Sequence, residues 1–330
     1  MSSVRHAACY PTVSPVADPP DRPFWSVMIP VYNCSDYLRA ALRTVLAQIP
    51  TEDRIQIEVI DDCSTIGDAA AVAAEFDDPR VSYFRQPQNV GPQANFTTCV
   101  QRSRGHWVHI LHGDDMVAPG FYHTFEVVAR SHPDVGAAFC RVLNVDSNGA
   151  WIDISNLELA KPGVHGSLIQ TLAVKNIIMF PSMVVKRSTY EQVGGFHPDL
   201  FHSADWDMWK RVALATQVWY EPTPLAMYRI HPQSDTSNLM RTGANIADAR
   251  NAIGIARRYL PEKHSAEWSR EALIHHGLYA IELAQQMTDR RAWNAARAQV
   301  AQAFRCSMSP RIFFATAHLA LHVLERRVSS

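Results

Sequence analysis

Residues 25–33 read WSVMIPVYN. Residues 25–31 form a short apolar run with β-branched side chains, which predicts a buried strand. Beyond it, apolar residues recur at helical spacing and predict a helix with one buried stripe: Leu38, Leu42, Val45, Leu46 and Ile49. Asn33 or Ser35 can cap the start of this helix, and Pro50 ends it. A buried strand that leads at once into an amphipathic helix is the repeating unit of α/β folds.

The same alternation continues toward the C-terminus. Predicted strands cover residues 55–60, 80–84, 106–111 and 135–140, and predicted helices cover residues 68–76, 92–103 and 119–131. This order predicts a Rossmann-type α/β fold with a mostly parallel sheet sandwiched by helices. In such sheets, ligands bind beyond the carboxyl ends of the strands. The acidic pairs Asp61-Asp62 and Asp114-Asp115 both follow predicted strands, so we expect them at that edge.

Composition and charge narrow the function classes. The chain has 330 residues with 31 basic and 32 acidic side chains, a net charge of -1. Nucleic-acid binders usually have a strong basic excess, so we expect no nucleic-acid partner. The six cysteines form no C-x-x-C pair, which predicts reduced thiols rather than a zinc site or a disulfide framework. Neither a signal peptide nor a run of about 18 apolar residues is present, so we expect a cytoplasmic protein without a transmembrane segment.

Four short segments matter together. They are residues 26–33 (SVMIPVYN), 61–65 (DDCST), 111–115 (LHGDD) and 204–207 (ADWD). In order and spacing they resemble family 2 of the glycosyltransferases, over about residues 24–240. That family shows a strand reading S-V-I-I-P-x-Y-N, a V-D-D-x-S-x-D segment, a D-x-D-type motif and an E-D pair before Trp or Tyr. The resemblance implies the GT-A fold.

The resemblance also implies an activity. The enzyme would be a metal-dependent, inverting glycosyltransferase that moves a sugar from a nucleoside diphosphate-sugar to a hydroxyl of a glycan, lipid-linked or small-molecule acceptor. Glycan, polysaccharide or glycoconjugate synthesis is the expected setting. A UDP- or dTDP-linked donor is favoured, because Asp62 can accept a hydrogen bond from the imide N–H of a pyrimidine ring. Guanine also offers an N–H, so a GDP-linked donor stays open.

The residues expected to contact the donor follow from the same resemblance. They are Pro30, Val31, Tyr32, Asn33, Asp62, Asn89, Gly91, Asp114 and Arg229. Residues 30–33 follow the first strand, residues 88–91 resemble the family's N-x-G turn, and Arg229 could meet a phosphate. The alternatives are helix capping or turn formation for Asp61 and Asp62, and a surface salt bridge for Arg229. Cys63 stands where the family often has glycine.

Asp114 and Asp115 are the candidate metal ligands. Adjacent carboxylates repel each other unless a cation or hydrogen-bond donors compensate, and oxygen ligands suit Mg²⁺ or Mn²⁺. The cation would act as a Lewis acid for the departing nucleoside diphosphate. By resemblance His231 is a third ligand, with a structural turn histidine as the alternative. His112 replaces the first acid of the D-x-D motif; local packing or a local hydrogen bond is the favoured role for it, and a ribose or metal contact is the alternative.

Asp205 is the candidate catalytic base. The stretch SADWDMW at residues 203–209 resembles the family's E-D-W-D-L-W, with Ala204 in place of the common glutamate. A carboxylate within reach of the acceptor hydroxyl can take its proton. The alternative role for Asp205 is to cap the helix that it opens. Asp207 is the next candidate for the base.

Two other function classes compete with this interpretation. A catalytically inactive, glycosyltransferase-like binding module is the main alternative, because Ala204 and His112 depart from the family pattern. Retention of Asp114, Asp115 and Asp205 argues against it. A nucleotidyltransferase would usually carry a glycine-rich loop with basic residues after the first strand, and residues 30–35 (PVYNCS) contain neither.

The sequence predicts three regions. Residues 1–22 are proline-rich and read as a flexible leader. Residues 23–240 form the GT-A domain, with a nucleotide-binding half over about 23–142 and an acceptor half over about 143–240. Residues 241–330 form a helical region outside the resemblance. Its last helix could lie on the inner face of a membrane, or pack on the domain or on a second copy in a homo-oligomer; the few basic residues favour packing.

Overall fold

The computed structural model describes residues 10–49, 55–232 and 234–328. These residues fall into two compact units. The first unit comprises the described residues through Leu168, Ile178–Pro198 and Arg211–Ile230; the second comprises Ile169–Ile177, Asp199–Lys210 and the described residues from His231 onward. The domain limits drawn from the sequence remain predictions.

The proline-rich leader is packed where the structure describes it. Residues 1–9 lie outside the described residues. Farther along, Val13 is only 2% exposed, and the carbonyl of Pro11 accepts a hydrogen bond from the N–H of Gly195 at 2.7 Å. The guanidinium of Arg187 donates to the carbonyl of Ser14 at 3.0 Å. Specific contacts therefore hold this part of the leader against the first unit.

One mixed sheet organises the first unit. The strands among the described residues are β1 (Trp25–Val31), β2 (Ile55–Asp61), β3 (Val81–Arg85), β4 (Trp107–Ile110), β5 (Met116–Val117), β6 (Val135–Val145), β7 (Trp151–Ile154), β8 (Gly163–Val164), β9 (Met183–Lys186) and β10 (Gln217–Arg229). Their order is β3-β2-β1-β4-β9-β6-β10-β5, with β7 beside β6 and β8 beside β10. The predicted α/β architecture is confirmed.

Parallel and antiparallel pairings divide this sheet. Strands β3, β2, β1 and β4 pair in parallel, as do β6 and β10. Strand β9 runs antiparallel to both of its neighbours, β4 and β6. Because β1, β2 and β4 are parallel, their carboxyl ends meet at one edge, which is where the two acidic pairs lie.

Helices alternate with the strands, and several helices of the first unit share the core of the sheet. The helices up to β10 are α1 (Ser35–Leu46), α2 (Ala69–Ala74), α3 (Pro92–Arg102), α4 (Phe121–Ser131), α5 (Leu168–Val174), α6 (Arg187–Val193) and α7 (Ala204–Ala215). The predicted stripe of α1 is buried at Leu38, Leu42 and Val45. These side chains join the apolar residues of β1 and β2 in one hydrophobic cluster. The buried face fixes the orientation of α1 on the sheet. The polar loops follow the ends of the strands, outside this apolar core.

The second unit is helical, as predicted for the C-terminal region. Its C-terminal helices are α8 (Asp235–Thr242), α9 (Ala244–Ala256), α10 (Glu262–Asp289), α11 (Trp293–Cys306) and α12 (Pro310–Val328). A Cβ on Gly277 of α10 would come within 2.7 Å of the Ile312 side chain and 3.3 Å of the Ala303 carbonyl, so glycine permits the close approach of these helices. Within the described residues, no helix is both long and apolar enough to cross a membrane.

Candidate functional site

Asn33 ties the loop after β1 to the loop after β2. Its backbone adopts a positive φ of 53°. Its side-chain oxygen accepts hydrogen bonds from the N–H groups of Thr65 at 2.8 Å and Ile66 at 3.0 Å. Its own N–H donates to the hydroxyl of Ser64 at 2.9 Å. The two loops at the predicted ligand edge are therefore locked to each other.

Asp61 is a buried anchor at the end of β2. One carboxylate oxygen accepts from the N–H and the hydroxyl of Ser64, at 2.9 Å and 2.5 Å. The other accepts from the hydroxyl of Tyr83 at 2.7 Å and from Arg85 at 2.5 Å. Burial alone would raise the pKa of Asp61, but the hydrogen bonds from Ser64 and Tyr83 and the charge of Arg85 hold it below its ordinary value. Asp61 is therefore ionised at neutral pH.

Asp62 joins the loop after β2 to the turn at residues 89–91. It is 3% exposed, and its two oxygens accept from the N–H groups of Val90 at 2.8 Å and Gly91 at 3.0 Å. The side chain of Asn89 also accepts from the Gly91 N–H, at 3.2 Å. Burial raises the pKa of Asp62 against these hydrogen bonds. The structure thus joins three of the residues expected to bind the sugar nucleotide: Asp62 accepts hydrogen bonds from the turn that contains Asn89 and Gly91.

Two residues of this edge adopt backbone conformations that explain the residue types found there. Gly91 has φ of 84° and Cys63 has φ of 59°. A positive φ is sterically strained for most residues, whereas glycine adopts it readily because it has no Cβ. Cys63 therefore stands at a position suited to glycine, which the resemblance had suggested from the family pattern.

The end of β1 packs against the loop after β4. Pro30 and Val31 are buried, whereas Tyr32 is 47% exposed. The N–H of Gly113 donates to the carbonyl of Pro30 at 3.0 Å. A Cβ on Gly113 would lie 2.9 Å from the side chain of Val31, so the acidic loop can pass this close because residue 113 has no side chain.

Asp115 and Arg229 hold the acidic loop in place. The carboxylate of Asp115 is 1% exposed and accepts from the backbone N–H of Arg229 at 2.9 Å. The guanidinium of Arg229 donates to the carbonyls of Asp114 at 2.8 Å and of Asp146 and Ser147 at 3.1 Å. These contacts give Arg229 a positioning role. Its contact with a donor phosphate stays a prediction.

The acidic loop has the features of a cation site. Single ligand atoms of His112, Asp114 and Asp115 all lie within 4.8 Å of one another. Burial and the neighbouring charge of Asp114 raise the pKa of Asp115 well above its ordinary value. The second carboxylate oxygen of Asp115 is buried and has no hydrogen-bond partner among the described residues. A divalent cation would satisfy that oxygen and offset the repulsion of the pair.

His112 both packs and faces the acids. Its ring stacks on Phe96, with centroids 4.9 Å apart, and lies 4.4 Å from the ring of Phe180. Its Nδ1 is 4.0 Å from a carboxylate oxygen of Asp115. The sequence favoured local packing for His112 and left a ribose or metal contact open, and it did not single out Tyr83 or Arg85. No local pattern marks Tyr83 and Arg85, because their partner Asp61 lies 22 and 24 residues earlier in the chain.

His231, the residue expected as a third metal ligand, belongs to the second unit. It is 6% exposed, and its carbonyl accepts from the hydroxyl of Ser237 at 3.1 Å and from the N–H of Ser234 at 3.2 Å. These bonds place His231 in the turn before α8. Its role toward a metal stays a prediction.

Asp205 lies in the first turn of α7, in the second unit. The helix begins one residue earlier, at Ala204. One oxygen of Asp205 accepts from the N–H of Trp206 at 2.6 Å, and the other accepts from the side chain of Asn176 at 3.0 Å. Burial raises the pKa of Asp205 to about 7 despite these hydrogen bonds. This carboxyl is therefore poised to gain or lose a proton near neutral pH.

A cavity of about 80 Å³ reaches Asp205 within the second unit. It is lined by Asn176, His202, Ser203, Asp205, Trp206, Asn245, Ile246, Ala249, His276 and Tyr279. Asp207, by contrast, is fully buried and accepts from the hydroxyl of Tyr259 at 2.7 Å. Of the two acids in this turn, Asp205 is the one with open space beside it.

Comparison with known proteins adds an independent finding. The family model described as Glycosyl transferase family 2 matches residues 26–194. An uncharacterized protein of Mycobacterium tuberculosis is 29% identical over 245 residues, which are 71% of this chain and 76% of that protein.

Two solved structures share the fold. S. aureus TarS 1–349 in complex with UDP-GlcNAc has a TM-score of 0.61 at 16% identity, covering 89% of this chain and 87% of that one. The mannosyltransferase PcManGT from Pyrobaculum calidifontis in complex with GDP-Man and Mn²⁺ has a TM-score of 0.58 at 19% identity, covering 94% of this chain and 82% of that one. These likenesses confirm the GT-A-like fold predicted from the sequence.

Proposed function

Because the chain belongs to glycosyl transferase family 2 and is a glycosyltransferase, we propose that it is a metal-dependent, inverting enzyme that uses a nucleoside diphosphate-sugar. The observation that carries this proposal is the acidic loop after β4. There, His112, Asp114 and Asp115 gather potential ligand atoms within 4.8 Å. The buried carboxylate oxygen of Asp115, which has no hydrogen-bond partner among the described residues, supports a cation as its partner.

Mn²⁺ or Mg²⁺ is the cation proposed. Asp114 and Asp115 would hold it, with His231 as a third ligand by resemblance and His112 within reach of the same carboxylates. When bound, the cation would supply Lewis-acid stabilisation of the diphosphate leaving group. Support comes from the carboxylate oxygens of Asp114 and Asp115, a ligand type that suits Mg²⁺ and Mn²⁺, and from PcManGT, whose structure was solved with Mn²⁺.

The first unit would bind the nucleotide. Residues 30–33 and the turn at residues 89–91 would line its pocket, and Asp62 would accept a hydrogen bond from the base. Each oxygen of Asp62 accepts one backbone hydrogen bond and retains capacity for another. A UDP- or dTDP-linked donor is proposed on this ground. The fold alone does not decide between a pyrimidine and a guanine donor, because TarS was solved with UDP-GlcNAc and PcManGT with GDP-Man.

Asp205 is the proposed general base. An acid with a pKa near the working pH can both exist as the carboxylate and accept a proton in the transition state. Burial supplies this property by raising its pKa to about 7. The carboxylate of Asp207 is instead held by Tyr259, which supports a structural role for Asp207. The hydroxyl that loses its proton would belong to a glycan, a lipid-linked molecule or a small molecule, in glycan, polysaccharide or glycoconjugate synthesis.

A panel of sugar nucleotides tests the donor class. The enzyme would be melted with UDP-, dTDP- and GDP-linked sugars, each with Mn²⁺ and with a chelator. A ligand that binds the folded state raises the melting temperature by mass action, so we expect a shift from pyrimidine nucleotides that needs Mn²⁺. Equal shifts with the chelator would contradict the metal role, and a clear preference for GDP-sugars would overturn the assignment of Asp62.

A further inference from the structure

Helix α12 exposes large apolar side chains on the face opposite its buried residues Ile312 and Leu319. The exposed fractions are 49% for Phe313, 79% for Phe314, 59% for Leu321 and 57% for Leu324. We call these four residues the apolar stripe. Proteins that stay monomeric rarely expose a continuous apolar patch without using it for binding.

Helix α11 lies beside the apolar stripe and exposes a mixed surface. The ring of Phe304 in α11 contacts the ring of Phe313 at 5.3 Å. Along α11, Trp293, Arg297 and Arg305 are exposed. Trp293 and Arg297 are four residues apart and share one face, and Arg305 lies about 80° around the helix from Arg297. An aromatic ring and two guanidinium groups are therefore exposed on the helix that contacts α12.

The C-terminal region around α11 and α12 has an excess of basic over acidic residues. From Arg290 to Ser330 the chain has seven arginines and one acidic residue, Glu325, although its net charge overall is -1. The sequence-based preference for packing rested on the few basic residues of the last helix. The structure adds exposed arginines before and within α11, so basic residues are not too few for binding at a membrane surface: Arg290, Arg291, Arg297 and Arg305.

We propose that α11 and α12 dock the enzyme on an anionic lipid bilayer, with the apolar stripe in the interfacial region and the arginines against lipid phosphates. Amphipathic helices that combine aromatic and aliphatic side chains with arginine bind membrane surfaces in this way. A second copy of the chain would fit less well, because a symmetric contact through this face sets the same arginines against each other. An anionic bilayer meets both the apolar and the cationic features.

Vesicle sedimentation tests the proposal with the full-length chain. Vesicles of phosphatidylcholine alone would be compared with vesicles in which about a third of the lipid is phosphatidylglycerol. We expect binding to the anionic vesicles that weakens as salt rises. Phe313→Ser with Phe314→Ser should lower partitioning by about 100-fold or more, the scale of two lost aromatic burials. Trp151→Ser, at a residue of β7 that is 71% exposed, is the matched control and should bind as the parent does.

A charge variant gives an independent readout. Arg305→Gln with Arg311→Gln should lower partitioning by about 20-fold at low salt, since each arginine near an anionic surface contributes roughly fivefold. Absence of binding by the parent chain, or binding unchanged in both double variants, would overturn the proposal. So would a dimer, seen by light scattering without lipid, that the phenylalanine variant dissociates, because the stripe would then be a subunit interface. Neither outcome depends on donor binding or transfer.

Discussion

At the residue scale, the two acids of the metal loop occupy unlike environments. Asp115 is buried and accepts the backbone N–H of Arg229, whereas Asp114 is partly exposed. The carbonyl of Asp114 is held by the guanidinium of Arg229. Asp115 therefore anchors the loop to β10, and Asp114 is the more exposed of the two acids.

We expect Asp114→Ala to abolish transfer and to weaken nucleotide binding in Mn²⁺ by at least tenfold, because the cation that links carboxylate to diphosphate is lost. Calorimetric titration of UDP into the variant measures this directly. Asp134→Ala, which removes an exposed acid just before β6, is the control and should bind UDP as the parent does. Equal UDP affinity in Mn²⁺ for Asp114→Ala and the parent would remove Asp114 from the metal site.

We expect Asp205→Asn to bind the donor normally and to lower turnover by about 10²-fold or more, the scale of a lost general base. The substitution is nearly isosteric. Its single amide oxygen can keep the hydrogen bond from Trp206 or the one from Asn176, and the amide nitrogen then takes the place of the other acceptor oxygen. Single-turnover rates and melting curves separate chemistry from folding. Near-normal transfer by the variant would leave Asp205 with a structural role at the start of α7.

The raised pKa of Asp205 also makes stability depend on pH. An unfolded aspartate has a pKa of about 3.9, and burial raises that of Asp205 to about 7. The protonation of buried Asp205 therefore contributes fully to the free energy of unfolding below the pKa of the unfolded chain. That contribution is lost as pH rises through about 7. Asp205→Asn escapes this loss, so its melting temperature relative to the parent should rise between pH 4 and pH 8. A constant difference over that range would mean that Asp205 ionises as an exposed acid does.

The sequence predicted which residues belong to the candidate site better than it predicted their hydrogen-bond partners. Asp62 and Gly91 were expected at the nucleotide, and the structure joins them directly. Asn33 or Ser35 was expected to cap α1, yet Cys34 holds the cap position without a side-chain bond. The oxygen of Asn33 is used instead by the loop after β2. Such long-range partners leave no trace in the local pattern.

At the scale of elements, periodic burial made the first half of the fold predictable. The run 25–31 is β1 and the stripe that follows is the buried face of α1. The apolar run at residues 178–185 overlaps β9, whose partners the sequence did not predict. Strand β9 pairs antiparallel between β4 and β6. Its partner residues lie 44 to 79 positions earlier in the chain, and local periodicity does not encode contacts over such distances.

The start of β4 depends on close backbone packing at Gly105. A Cβ there would lie 2.6 Å from the backbone nitrogen of Ser26, whose hydroxyl accepts the Gly105 N–H at 2.7 Å. We expect Gly105→Ala to lower the free energy of unfolding by about 1–3 kcal/mol, as overpacking does. Urea unfolding measures it. Gly166→Ala, which meets nothing within 4 Å, is the control, and equal stability of both variants would contradict the packing argument.

At the scale of the whole molecule, the proposed roles divide between the two units. The residues expected at the nucleotide belong to the first unit, and Asp205 and His231 belong to the second. Four motifs in order were enough to predict the family and the fold, since each marks a strand end or helix start that the fold requires. The motifs did not reveal Tyr83 or Arg85, whose places follow from their contacts with Asp61.

The most direct test of the central claim is release of nucleoside diphosphate from a UDP-linked sugar by the purified chain. The measurement compares Mn²⁺, a chelator, and Mn²⁺ restored after the chelator, with Asp114→Ala and Asp205→Asn beside the parent. We expect release in Mn²⁺, its loss with the chelator, its return on restoring the metal, and little release by either variant. Release that is equal with and without metal, or unaffected by Asp114→Ala, would contradict a metal-dependent transferase built on the acidic loop.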